Sequence, residues 1–132
     1  MRAVSDQRDH RSSDRGSASV MAVGVVAGLA AVLVAALALA AVLVAGQQAR
    51  TAADLSALAA AGQVLTGAGR DRACAEADAV AARNGGRLER CELRLAPGQP
   101  WPTVLVAVRR DVARTPWSLT ARAVAGATSP AA

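Results

Sequence analysis

Tyrosine, phenylalanine and lysine are absent from this chain, histidine occurs once, and cysteine and tryptophan occur twice each. Each shortage excludes something. Without Tyr or Phe, any core must be built from Ala, Val and Leu, which makes a thin core and a domain near the size where extra staples are needed. One histidine, His10, and two cysteines, Cys74 and Cys91, cannot fill the four positions of a structural zinc site, so no metal and no cofactor is expected. No phosphate-binding loop, no nucleophile motif and no internal repeat is present, and the chain reads as a non-enzyme. With no lysine, the net charge of +5 comes from arginine alone. Those arginines are dispersed and no aromatic residues are interleaved to stack bases, so no nucleic-acid partner is expected.

What the chain has in abundance is small apolar residues. Val20 to Gly46 reads VMAVGVVAGLAAVLVAALALAAVLVAG, without one charged or polar side chain. About 20 apolar residues cross the hydrocarbon core of a bilayer, and a helix of this length extends about 40 Å. The expectation is a single membrane helix over 17–46. Before it lie Arg2, Arg8, Arg11 and Arg15; after it the first positive residues are Arg50 and Arg70. The positive-inside bias then puts the N-terminus in the cytoplasm and the C-terminal part outside. His10 becomes a plain residue of a polar, Ser-rich cytoplasmic tail over 1–16, composed like a disordered segment. An ordinary secretory signal has an apolar region of about 7–15 residues, much shorter than this one. Cleavage after Ala45 or Gly46 is nevertheless the competing reading, and it would release a small exported soluble effector or binding protein.

Beyond Gly46 the composition still favours helix. QQARTAADLSALAAAGQVLT is rich in Ala, Leu and Gln, and Leu55, Leu58, Ala61 and Leu65 recur at helical spacing. A helix continuing over 47–66 would present that stripe to a small domain at 67–126. Thr66-Gly67-Ala68-Gly69 ends the helix, Asp71 is placed to cap a second one, and Asn84-Gly85-Gly86 stops it. The period then changes to two. Cys91, Leu93 and Leu95 alternate with Glu92 and Arg94, TVLVAVRRDV is β-branched, and WSLTARAVAG puts Trp117, Leu119, Ala121, Ala123 and Ala125 on one face. The expected fold is α+β: a long N-terminal helix, a short helix and a three-stranded antiparallel meander, followed by a disordered tail at 127–132.

An oxidising exterior permits a Cys74–Cys91 disulfide; two buried thiols in a cytosolic domain are the alternative. Gly24 and Gly28 form a GxxxG pair, a spacing that lets two membrane helices approach and permits a homo-oligomer. Asp54 stands four residues after Arg50, as a packed partner or a solvated residue. Glu89, Glu92 and Asp111 read as solvent-facing strand positions rather than an acid/base pair.

Asp14–Val26 (DRGSASVMAVGVV), Gln47–Ala61 (QQARTAADLSALAAA) and the two cysteines together resemble the TadE-like pseudopilins of the tight-adherence, or Flp pilus, assembly system. The nearest resemblance is to the short actinobacterial group often encoded beside secretion ATPase genes. It implies a pilin-like fold and a cut between Gly16 and Ser17 by a membrane peptidase at the cytoplasmic face, with the apolar helix retained. It also implies the membrane and pilus-assembly or secretion proteins as partners. Major pilins of this kind carry Glu five residues past the cleavage Gly; Met21 stands there. The resemblance therefore implies an accessory component rather than a shaft subunit.

Overall fold

The structure is a computed structural model that describes residues 11–127. Most of the expected leader and most of the expected tail at 127–132 thus lie outside the described residues. The order of elements is α1 (Arg11–Leu65), α2 (Arg70–Arg83), β1 (Arg87–Arg94), β2 (Thr103–Asp111) and β3 (Ser118–Gly126). This is the α+β arrangement expected, with a long apolar helix, a short helix and an antiparallel sheet of order β1-β2-β3. Within α1 the chain divides into two compact units, Met1–Ala40 and Ala41–Ala132.

In the first unit α1 already includes Arg11, the first described residue, six residues before the expected start at Ser17. No proline interrupts this stretch, and one glycine inside a helix costs only about 1 kcal/mol. Every residue from Gly16 to Ala40 is exposed.

In the second unit both helices end in the same way. At the end of α1, the amide of Gly67 donates to the Val64 carbonyl at 3.0 Å and that of Ala68 to the Gln63 carbonyl at 3.0 Å. At the end of α2, Gly85 donates to Ala82 at 3.0 Å and Gly86 to Ala81 at 2.9 Å. Gly67 (φ 84°) and Gly85 (φ 70°) take the left-handed backbone that this closure requires. The start of α2 differs from expectation. Gly69 is the N-cap and no side chain caps it; Asp71 lies inside the first turn, where its charge complements the helix dipole.

The core is mostly alanine. Eleven alanines and three valines form it: Ala49, Ala52, Ala53, Ala57, Ala60 and Ala61 of α1, Ala73, Ala77 and Ala81 of α2, Val104, Val106 and Val108 of β2, and Ala121 and Ala123 of β3. Here the expected stripe is corrected. Leu55, Leu58 and Leu65 point away from the core, Leu58 being 62% exposed. The alanine face is buried instead, because small side chains let the helix backbone come close to the sheet, where a leucine row would hold it off. Ser56 is buried within this face and donates its hydroxyl to the Ala52 carbonyl at 2.7 Å, so no polar group is left unsatisfied there.

The inner face of the sheet carries Leu88, Cys91 and Leu93 opposite Val108, Val106 and Val104, which lie opposite Ala121, Ala123 and Ala125. Leu88 and Cys91 are three apart and would face opposite ways on a regular strand. A register shift between Leu88 and Arg90 leaves Glu89 as an extra residue and brings both inward. Leu95 lies beyond β1 and is exposed, as is Trp117 before β3; neither joins the faces expected for them. Cys74 of α2 and Cys91 of β1 form a disulfide with a Cα–Cα distance of 5.8 Å, closing a segment of 17 residues in sequence separation.

Candidate interaction surfaces

α1 carries an apolar stretch long enough to cross a membrane, by length and composition. Val20, Met21, Val23, Leu29, Val32, Leu33, Leu37 and Leu39 are all exposed, with Val20 at 75%. Contiguous apolar exposure on this scale is rare on soluble monomers and is the pattern of protein- or membrane-interaction surfaces. Gly16 and Ser17 sit inside α1, exposed, and a Cβ built on Gly16 meets nothing within 4 Å. Gly24 and Gly28, one helical turn apart, are equally open. The structure therefore leaves the proposed processing point and the GxxxG pair accessible.

Around residues 41–127 two polar features stand out. The first is a depression of about 490 Å³ lined by Gln47, Gln48 and Thr51 of α1, Arg83, Asn84 and Gly85 at the end of α2, and Arg110 of β2. Arg110 is held there by donating from Nη1 to the Asn84 carbonyl oxygen at 2.6 Å. Arg83 reaches Glu76 at 3.3 Å on the exposed surface. The second is a groove between α1 and β3. One section, about 610 Å³, is lined by Gly46, Arg50, Asp54, Leu119, Thr120 and Arg122 among others. The next, about 340 Å³, is lined by Asp54, Ala57, Leu58 and the stretch Ala123–Gly126. Arg50 and Asp54, read from the sequence as a candidate pair, both line this groove and form no ion pair with one another among the described residues.

The outer face of the sheet carries the strand carboxylates, each against arginine. Glu92 meets Arg94 at 2.7 Å and Arg90 at 3.6 Å, Glu89 meets Arg109 at 3.6 Å, and Asp111 meets Arg87 at 3.2 Å and Arg109 at 3.7 Å. Glu89 also accepts a hydrogen bond from the Thr120 hydroxyl at 3.2 Å. The hydrogen bond from Arg94 holds the Glu92 carboxyl below its ordinary range, partly opposed by desolvation and helped by the charges of Arg94, Arg90 and Arg70. A carboxylate so paired is a fixed anion, not a proton donor near neutrality. Among the described residues no cluster of three or more His, Cys, Asp or Glu could hold a metal ion. The arginine-lined depression and the groove along β3 are invisible in the sequence, because their residues come from segments 25 to 76 positions apart.

No protein-family model, no curated protein and no solved structure matches this chain.

Proposed function

We propose that this chain is an accessory, TadE-like pseudopilin: a single-pass protein of the cytoplasmic membrane with its N-terminus inside and its disulfide-stapled head outside. It acts through protein–protein packing in a pilus-assembly or related secretion apparatus, without catalysis. One observation carries the reading. α1 is a single helix whose Val20–Ala40 stretch is wholly exposed, while its Ala49–Ala61 stretch is the alanine spine of the head core. A helix of this kind serves as anchor and structural element at once, with a surface free for lateral packing. The Cys74–Cys91 bond supports an oxidising location for the head.

Co-expression with a prepilin peptidase tests the reading. The wild-type chain should shorten by 16 residues and begin at Ser17, and Gly16→Leu should stay full length. A reporter active only outside the cytoplasm, fused after Ala132, should be active. A mature chain starting near Gln47, from wild type and variant alike, would replace the pseudopilin with a released soluble protein.

A further inference from the structure

In the head, β3 runs in the same direction as α1. A Cβ on Gly46 would lie 3.9 Å from Leu119 Cδ1, and Asp54, Ala57 and Leu58 line the same groove as Ala123–Gly126 further along. The β2–β3 hairpin, closed by the Val112 amide on the Trp117 carbonyl at 2.9 Å, precedes Leu119 and therefore lies at the Gly46 end. So does the α2–β1 turn, since Asn84 and Gly85 share a depression with Gln47, Gln48 and Thr51. Gly46 is the last residue of the apolar run. Ala45, inside that run, is only 6% exposed, while its neighbours Leu43 and Val44 are 62% and 55% exposed. The head thus overlaps the final turn of the apolar segment. A layer that surrounds the helix at Leu43 and Val44, as a bilayer does, also meets this end of the head.

The chemistry at that end is specific. Arg50, Arg83, Arg110 and Arg122 line the depression and the groove flanking α1, and Arg114 sits in the hairpin. The carboxylates nearby are Asp54, one turn further from the apolar run than Arg50; Glu76, 3.3 Å from Arg83; Glu89, paired with Arg109 and accepting from Thr120; and Asp111, already paired with Arg87 and Arg109. Trp117, at the close of the same hairpin, is 63% exposed. An exposed indole on the hairpin that also carries Arg114, at the same end of the head as the last turn of the apolar run, matches the depth order of a bilayer: acyl chains, then the interfacial layer, then phosphate.

We infer that this arginine-and-Trp117 rim is a lipid-headgroup site, on which anionic phospholipid phosphates seat the head against the membrane surface. The inference rests on the membrane-anchor reading but not on any pilus role. Arginine is suited to it because its planar fork binds phosphate oxygens bidentately.

The two tryptophans supply the test. The full chain is reconstituted into vesicles of phosphatidylcholine alone or mixed equally with phosphatidylglycerol, with acyl chains brominated near the carbonyl end. Trp101→Phe leaves Trp117 as the reporter, and Trp117→Phe leaves Trp101, in the β1–β2 connection at the opposite end of the sheet from the β2–β3 hairpin. Co-flotation with the vesicles reads the anchor separately. The expected result is quenching of Trp117 at least twofold stronger than that of Trp101, and stronger with phosphatidylglycerol. Arg83→Gln combined with Arg114→Asn should at least halve that lipid preference, Asn being chosen because Arg114 has a left-handed backbone (φ 63°) that Asn tolerates. Flotation with equal quenching of both tryptophans, or with no preference for the anionic lipid, overturns the headgroup site while leaving the anchor intact. Failure to float overturns both. Trp117 shielded from aqueous acrylamide yet untouched by brominated lipid would mean that protein covers the rim, and also overturns the proposal.

Discussion

Arg110 places its Nη1 where a side chain on residue 85 would have to go. The guanidinium donates to the Asn84 carbonyl oxygen at 2.6 Å, and a Cβ on Gly85 would fall 2.6 Å from that same nitrogen. The strand arginine and the missing side chain are one device that fastens the end of α2 to β2. Gly85→Ala is expected to destabilise the head by about 1–2 kcal/mol from the left-handed backbone alone. Arg110→Ala removes a charged donor whose hydrogen bond is worth about 1.5–3 kcal/mol. Adding Gly85→Ala to Arg110→Ala should cost less than Gly85→Ala costs in the wild type, because the clash has gone. Urea unfolding of the four chains, followed by tryptophan fluorescence, measures the coupling.

The disulfide joins the only two elements that carry cysteine, α2 and β1. Cys91→Ser is expected to cost about 2–5 kcal/mol, a large fraction of what a small domain has. Peptide mapping of non-reduced protein, with thiols blocked at lysis, should recover Cys74 joined to Cys91. Recovery of two alkylated thiols would remove the staple.

The alanine face of α1 predicts an inverted pattern of sensitivity. Ala57, fully packed, should not accept a larger residue: Ala57→Leu is expected to cost about 1–3 kcal/mol by overpacking. Leu58, its immediate neighbour, should be replaceable by Ala within about 0.5 kcal/mol, as an exposed position outside the core. Thermal unfolding of the pair of variants distinguishes this arrangement from one in which the leucines face the sheet.

Acid should weaken the outer face of the sheet through Glu92. Its carboxyl, held by the Arg94 hydrogen bond, has a folded value below its unfolded one. The stabilisation is therefore complete above the unfolded value and is lost as pH falls through the depressed folded value. Because the group is exposed, the effect on stability is small. The measurement is the Glu92 carboxyl titration by NMR, which should move up towards the ordinary range in Arg94→Gln.

The long helix, both helix stops and the three strands were legible in the sequence because each has a local cause: an apolar run, a glycine after a helix, a change of period. Reading which face of α1 goes inward failed, since hydropathy ranks Leu above Ala while the sheet selects for close approach. Asp71 has a capping side chain, but the chain enters α2 at Gly69 and leaves it in the first turn. The rim of Arg83, Arg110 and Trp117 could not be read at all; it exists only once the α2–β1 turn and the β2–β3 hairpin reach the same end of α1.

The register shift in β1 bears on how this strand would respond to changes in chain length. Deleting one residue from a half-buried strand ordinarily turns every later side chain over to the wrong face. At Glu89 the reverse holds. Without it, Leu88 would still face Val108, Arg90 would still pair with Ala107, and Cys91 would still stand opposite Val106 within reach of Cys74. Only the exposed contacts of Glu89 with Arg109 and Thr120 would go. Glu89 is the one position in β1 where the strand can lose a residue and become more regular, whereas the same deletion at Glu92 would turn Leu93 outward and empty its place beside Val104.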